Sequence, residues 1–184
     1  KWWSFEDIVV EPATVQKPHP PLWTGAGTPE SINRVAKAGF SLLLDQFGNL
    51  DLTQTRIQAF KDGCAEIGRT FNPMEVGLTR TVLVTENDAE TEEIIETRAK
   101  GGGLDKFGPL PGLPSDPSSY ASGGRMMKGA AIIGTPDEVI PALQDLEAIG
   151  CGYVLALATS NVKSMRLLAK EVIPAMQSKA EAAE

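Results

Sequence analysis

The sequence predicts an α/β fold built from parallel β/α units. Three observations carry that prediction. Short continuous apolar runs recur along the chain, each is followed by a segment with helical periodicity, and capping residues with Gly or Pro mark the boundaries between them. Four strand–helix pairs in series, with a helix in every connection, require parallel strands and right-handed crossovers. Periodicity leaves two architectures open, an open doubly wound sheet and part of a closed barrel.

The elements follow in order. Residues 1–19 alternate weakly through Trp3, Phe5 and Ile8 and end in Pro18-His19-Pro20-Pro21, which predicts an extended lead-in and a stiff connector. The first strand is Leu22 to Gly25. A helix begins at Thr28, carries Ile32, Val35 and Ala36 on one face, and closes at Gly39. Phe40 to Leu44 is continuously apolar, as a strand covered on both faces should be. Asp51 caps a helix whose Ile57, Phe60, Cys64 and Ile67 fall at helical spacing. The third strand is Val76 to Val84, and Asn87 or Asp88 starts an acidic-fronted helix. Residues 101–125 are rich in Gly, Pro and Ser and too long for an ordinary βα connection, so they read as a lid, a binding loop or a disordered segment. Thr135 opens a helix with Val139, Leu143 and Leu146, with no strand expected immediately before it. Tyr153 to Thr159 is the fourth strand, and a last helix runs from about Asn161 to Met176.

With 184 residues, 42% hydrophobic and 22% charged, the chain reads as a single globular domain over 1–184. The net charge of -7 argues against a nucleic-acid partner, which needs a basic surface. No apolar run approaches the roughly 20 residues of a membrane span, so no membrane partner is expected. Cys64 and Cys151 read as reduced thiols of a cytoplasmic protein. One histidine and no Cys/His cluster argue against a zinc site.

The strongest chemical feature is the strand–glycine–helix junction Gly25-Ala26-Gly27-Thr28-Pro29-Glu30-Ser31. Glycine admits a ligand close to the backbone, and a helix N-terminus offers unpaired N–H groups and a positive dipole end. Thr28 is the N-cap, Pro29 the first helical residue, and Ser31 the N3 position, so two hydroxyls share one turn. A simple well-capped helix start fits the same residues. The chain holds its own control in Gly134-Thr135-Pro136-Asp137-Glu138, where N3 is a glutamate that folds back as a capping box and repels an anion. The spacing is not a dinucleotide fingerprint.

At this junction the sequence resembles the luciferase-like flavin-dependent monooxygenases. The resemblance runs from Trp3-Ser4-Phe5-Glu6-Asp7 through Gln16-Lys17-Pro18-His19-Pro20-Pro21-Leu22-Trp23 and Gly27-Thr28-Pro29-Glu30-Ser31. It continues in Gly134-Thr135-Pro136-Asp137-Glu138-Val139 and ends in Glu171-Val172-Ile173-Pro174-Ala175. It implies a TIM-type (β/α)8 barrel of which these strands are the C-terminal half, with residues 101–125 as the active-site loop. It further implies that Ala26, Gly27, Thr28 and Ser31 hold the phosphate of reduced FMN, or of the deazaflavin F420. A small organic substrate, O2 and a flavin reductase supplying reduced flavin complete the implied monooxygenase reaction; the alternatives are an F420-dependent oxidoreductase of the same fold and a non-catalytic flavin-binding half-barrel subunit. The family's first four β/α units have no counterpart here, so the resemblance also implies a missing N-terminal half or a second copy as partner, and leaves the catalytic residues unassigned.

Other residues keep open readings. His19 lies in the connector and reads as structural. Asp45, Gln46 and Phe47 follow the second strand and could face cofactor or substrate. Arg80 is either a barrel-interior charge or a solvated edge residue. Trp2 and Trp3 read as packing against the absent half or as lining a pocket.

Overall fold

The first strand is brief because Pro20 and Pro21 delay it and Gly25 ends it. The computed structural model describes residues 4–9, 11–101, 129–157 and 161–181, without the side chains of 98–101 and 178–181. Trp2, Trp3 and, beyond Gly101, the expected active-site loop therefore lie outside the described residues. Described residues before Trp23 form neither helix nor strand.

Strand β1 (Trp23–Gly25) leads into helix α1 (Pro29–Lys37), and β2 (Ser41–Leu44) into α2 (Leu50–Glu66). A single 3-10 turn at Pro73–Glu75 precedes β3 (Val76–Arg80), β4 (Val82–Val84) and α3 (Asp88–Gly101). Then come β5 (Ile132–Gly134), α4 (Pro136–Ile149) and β6 (Tyr153–Ala156). The last helical run is α5 (Val162–Leu167), a π turn at Leu168–Val172 and α6 (Ile173–Glu181). Its wide turn, closed by the Ile173 N–H on the Leu168 carbonyl, lies directly before Pro174, whose ring would crowd an ordinary α turn.

Every strand pairing among the described residues is parallel. One sheet has the order β1-β2-β3-β6, and β4 pairs with β5 in a second. The expected third strand is thus one run whose partners change at Thr81. The carbonyls of Val76 and Arg80 accept from Gly152 and Leu157 on the β6 side, whereas the Thr81 carbonyl accepts from Ile132. Successive carbonyls in a strand face opposite edges, so β5 takes over the edge that β2 occupies lower down. The sequence reading placed no strand before Thr135, and β5 corrects it.

Alternation sorts the sheet residues. Leu42, Leu44, Val76 and Leu78 point to the helices and join Ile32, Ala36, Ile57, Phe60 and Cys64 in the main core. Each fully buried leucine, isoleucine, valine or phenylalanine among them contributes about 1.5–3 kcal/mol. Val82, Val84, Val139 and Val172 form a second core beneath α4 and the last helical run. The opposite face carries Trp23, Tyr153 and Leu155, which stay 42%, 45% and 47% exposed, with Trp23 and Tyr153 edge-to-face at 5.7 Å. A Cβ at Gly77 would meet Leu43, Trp23 and Leu155, which places all four on this apolar inner face.

Helix boundaries follow local chemistry. Gly39 and Gly150 adopt positive φ after α1 and α4, as glycine does at helix ends. The N-cap of α2 is Asn49, whose side chain accepts the Leu52 N–H, rather than the expected Asp51, which sits in the first turn. Ile67 ends that helix half-exposed instead of joining its buried face. Among the described residues no helix is long and apolar enough to cross a membrane.

Candidate functional site

Parallel strands deliver their C-terminal ends to one edge, where α/β folds place their chemistry. Here that edge carries the β1–α1 turn, the β2–α2 loop and the start of β5.

In the β1–α1 turn, Ala26 donates its N–H to Leu43 and so ties the turn to β2. The Ser31 N–H donates to Thr28 Oγ1 at 3.2 Å, while the Thr28 N–H donates to Ser31 Oγ at 3.2 Å, a complete capping box. The hydroxyls also meet each other at 3.0 Å. Thr28 is exposed, and Ala26, Gly27 and Ser31 are half-buried. The structure therefore brings the four expected residues into one turn, with both hydroxyls engaged in capping. Among the described residues the Gly27 and Glu30 N–H groups enter none of the turn's hydrogen bonds.

The Thr135 control sharpens the contrast on new grounds. Since β5 precedes it, both look-alikes are strand–turn–helix junctions, and both self-cap. At Thr135 the cap is a carboxylate: Glu138 accepts the backbone N–H at 2.9 Å. A Cβ at Gly134 would collide with that same carboxylate. An anion finds the N–H taken and a negative charge in place.

Behind the Thr28 turn the charge is positive. Arg56 of α2, 2% exposed, donates through Nε to the Gly27 carbonyl at 2.9 Å and through Nη1 to Asp45 Oδ2 at 3.1 Å. A Cβ at Gly27 would stand 3.3 Å from Arg56 Nη2, so a side chain there would press on the guanidinium. Asp45 also accepts the Phe47 N–H at 2.8 Å, and Phe47 is buried. Asp45 and Phe47 thus brace the loop instead of facing the open edge, while Gln46 remains half-buried.

Arg80 fits neither of its two readings. It shares the helix-facing side of β3 with Val76 and Leu78 and is 2% exposed. It is a buried charge outside the barrel-type inner face. Its Nη1 donates to the carbonyls of Gly48 at 2.5 Å and Ala130 at 2.7 Å, and its Nη2 to Thr53 Oγ1 at 3.1 Å. Its Nε is buried without a partner among the described residues. Burial pushes this guanidinium below its usual value, Cys151 and Asp45 counter the shift, and Arg56 adds to it.

His19, in the exposed connector, donates Nδ1–H to the Pro20 carbonyl at 2.8 Å, away from the strand ends. Among the described residues no three His, Cys, Asp or Glu side chains gather to hold a metal ion. Sequence reasoning missed Arg56. Its signal was there: an arginine at the register of Thr53, Ile57 and Phe60, on the buried stripe of α2, where an unpaired charge is costly.

Fold and site together define an α/β protein of parallel β/α units with a glycine turn, backed by a cation, at its strand ends. The chain belongs to the luciferase-like monooxygenase family, whose model matches residues 2–152. No curated protein matches it. Among solved structures it is similar to the monooxygenase RslO1 from Streptomyces bottropensis, at 22% identity and TM-score 0.59, over 88% of this chain and 50% of that one. It is also similar to the oxygenating constituent of 3,6-diketocamphane monooxygenase from Pseudomonas putida in complex with FMN, at 18% identity and TM-score 0.56, over 85% and 49%. A third is the coenzyme F420-dependent tetrahydromethanopterin reductase from Methanopyrus kandleri, at 16% identity and TM-score 0.52, over 84% and 50%. These likenesses establish the fold: parallel β/α units corresponding to about half of a TIM-type barrel. The chain spans about half the length of the structures it matches.

Proposed function

We propose that the chain is part of a flavin-dependent monooxygenase that uses reduced FMN and O2 to oxidise a small organic substrate. Family membership supports the reaction class, and the observation that carries the cofactor is the β1–α1 turn with its buried cation. On this reading Ala26, Gly27, Thr28 and Ser31 hold the phosphate. Gly27 lets the backbone approach, its free N–H and that of Glu30 donate, and the two hydroxyls turn outward from their mutual cap. Reduced FMN, when bound, supplies the electrons that activate O2. The chain's own part is to orient the cofactor and, through the apolar face of Trp23, Leu43, Tyr153 and Leu155, to keep water away from it.

That face also supports an assembly reading. It needs a cover, supplied by a further barrel half or by a second copy, and a flavin reductase supplies the reduced cofactor. We read the setting as the cytoplasm, in keeping with the two buried free cysteines.

A second reading is F420-dependent hydride transfer, since proteins of that cofactor class are among the structural neighbours. Incubating the whole protein with each reduced cofactor separates the two. Substrate turnover coupled to O2 consumption with reduced FMN is expected; hydride transfer from reduced F420 without O2 consumption would overturn the monooxygenase reading. Fluorescence titration of Thr28→Val/Ser31→Ala tests the turn itself, with unchanged FMN affinity removing these hydroxyls from the site.

A further inference from the structure

The buried face of α2 carries a guanidinium that its packing does not require. Burying a charge is expensive, and an apolar side chain of similar volume is often as stable as a buried ion pair. Arg56 nevertheless reaches past Asp45 to the backbone of the β1–α1 turn, 29 positions earlier in the chain. Its Nε–H fixes the Gly27 carbonyl inward. A trans peptide holds its carbonyl and the following N–H on opposite sides, so the same bond turns the Thr28 N–H outward, to where it meets Ser31 Oγ. The orientation of the turn's central peptide is thus set from behind.

Among the described residues the charge behind the turn is not balanced. Arg56 is offset by Asp45, whereas the contacts of Arg80 are all to neutral oxygens. The two guanidinium groups share Gly48: a Cβ there would stand 3.4 Å from Arg56 Nη1, and its carbonyl accepts from Arg80. One positive charge in this low-dielectric layer remains uncompensated among the described residues.

We propose that Arg56 is a positioning residue for the cofactor phosphate, and that the Arg56–Arg80–Asp45 cluster makes the turn selective for a dianionic phosphomonoester over a monoanionic phosphodiester. The inference rests on the phosphate reading of the turn. It adds the residue that aims the turn and the charge class it accepts, a monoester such as the FMN phosphate.

The test is fluorescence titration of the whole protein with FMN and riboflavin, in the wild type, Arg56→Lys and Arg56→Met. The wild type should bind FMN about 100-fold more tightly than riboflavin, since only FMN carries the phosphate. Arg56→Met should shrink that ratio by about tenfold or more with riboflavin affinity unchanged, and Arg56→Lys, which keeps the charge without the fork, should fall between. Methyl phosphate should displace wild-type FMN at about tenfold lower concentration than dimethyl phosphate, a gap that closes in Arg56→Met. Equal weakening of FMN and riboflavin in Arg56→Met would overturn the proposal, because a merely structural role moves both. If that variant does not fold, equal displacement by the two esters in the wild type overturns it instead. A wild type that does not distinguish FMN from riboflavin sinks the phosphate turn itself, before Arg56 is tested.

Discussion

The Arg80 guanidinium donates to the Ala130 carbonyl at 2.7 Å, and through the same nitrogen to Gly48. That fork clamps the loop leaving β2 to the residues entering β5, at the point where one strand replaces the other along the third strand's edge.

Arg80→Met is therefore expected to destabilise the fold by about 2–3 kcal/mol. Relief of a buried charge is outweighed by two buried carbonyls and the Thr53 hydroxyl left without their donor. Urea unfolding should show a lower midpoint with an unchanged slope.

Helices α1 and α2 pack tightly at Gly63, where a Cβ would lie 2.8 Å from that of Ala36. Gly63→Ala gains about 1 kcal/mol of helix propensity, yet the collision must push the helices apart. A net loss of about 1–2 kcal/mol in thermal or urea unfolding is expected.

Acid should release the junction between α3 and α5. The Glu86 backbone N–H and the Lys163 ammonium hold the Glu90 carboxyl below its ordinary value. A depressed carboxylate contributes stability above its unfolded value of 4.5, and that contribution is lost as pH falls through the lower folded value. Lys163→Met should move the Glu90 titration upward in carboxyl NMR and raise the pH at which the local structure loosens.

Alkali addresses the buried thiols. Burial pushes Cys151 up to about 11, and it pushes Cys64 upward as well. The neutral Cys151 thiol contributes stability that is intact below its unfolded value of 9.0 and is lost as pH rises through about 11. At pH 8 neither thiol should react with a disulfide reagent in the folded protein, and both should react on unfolding.

Much of this architecture is legible in the residues. The unbroken run ending in Leu44, the Thr28-Pro29 start and the Gly39 stop locate β2 and α1 to within a residue. What escapes sequence reading depends on partners far along the chain. Ile132-Ile133-Gly134 is too short to announce itself and becomes β5 only by pairing with Val82–Val84. Asn49 and Asp51 are both capping residues, and only the loop's path from Asp45 decides between them. The alternation of Val76, Leu78 and Arg80 was plain, but which side faces the helices is a property of what α2 packs against. The strand–glycine–helix junction that holds Ala26, Gly27, Thr28 and Ser31 is legible because its signal is local. The cation behind them is not, because it comes from another element.

The change of partners at Thr81 makes the length of this stretch count for more than its composition. Val76, Leu78, Arg80, Val82 and Val84 keep a single alternation across the joint, and Thr81 between them is itself buried. Removing one residue there would turn the two valines off α4 and present their neighbours in their place. A small residue such as serine or alanine at position 81 should therefore be tolerated more readily than any gain or loss of a residue.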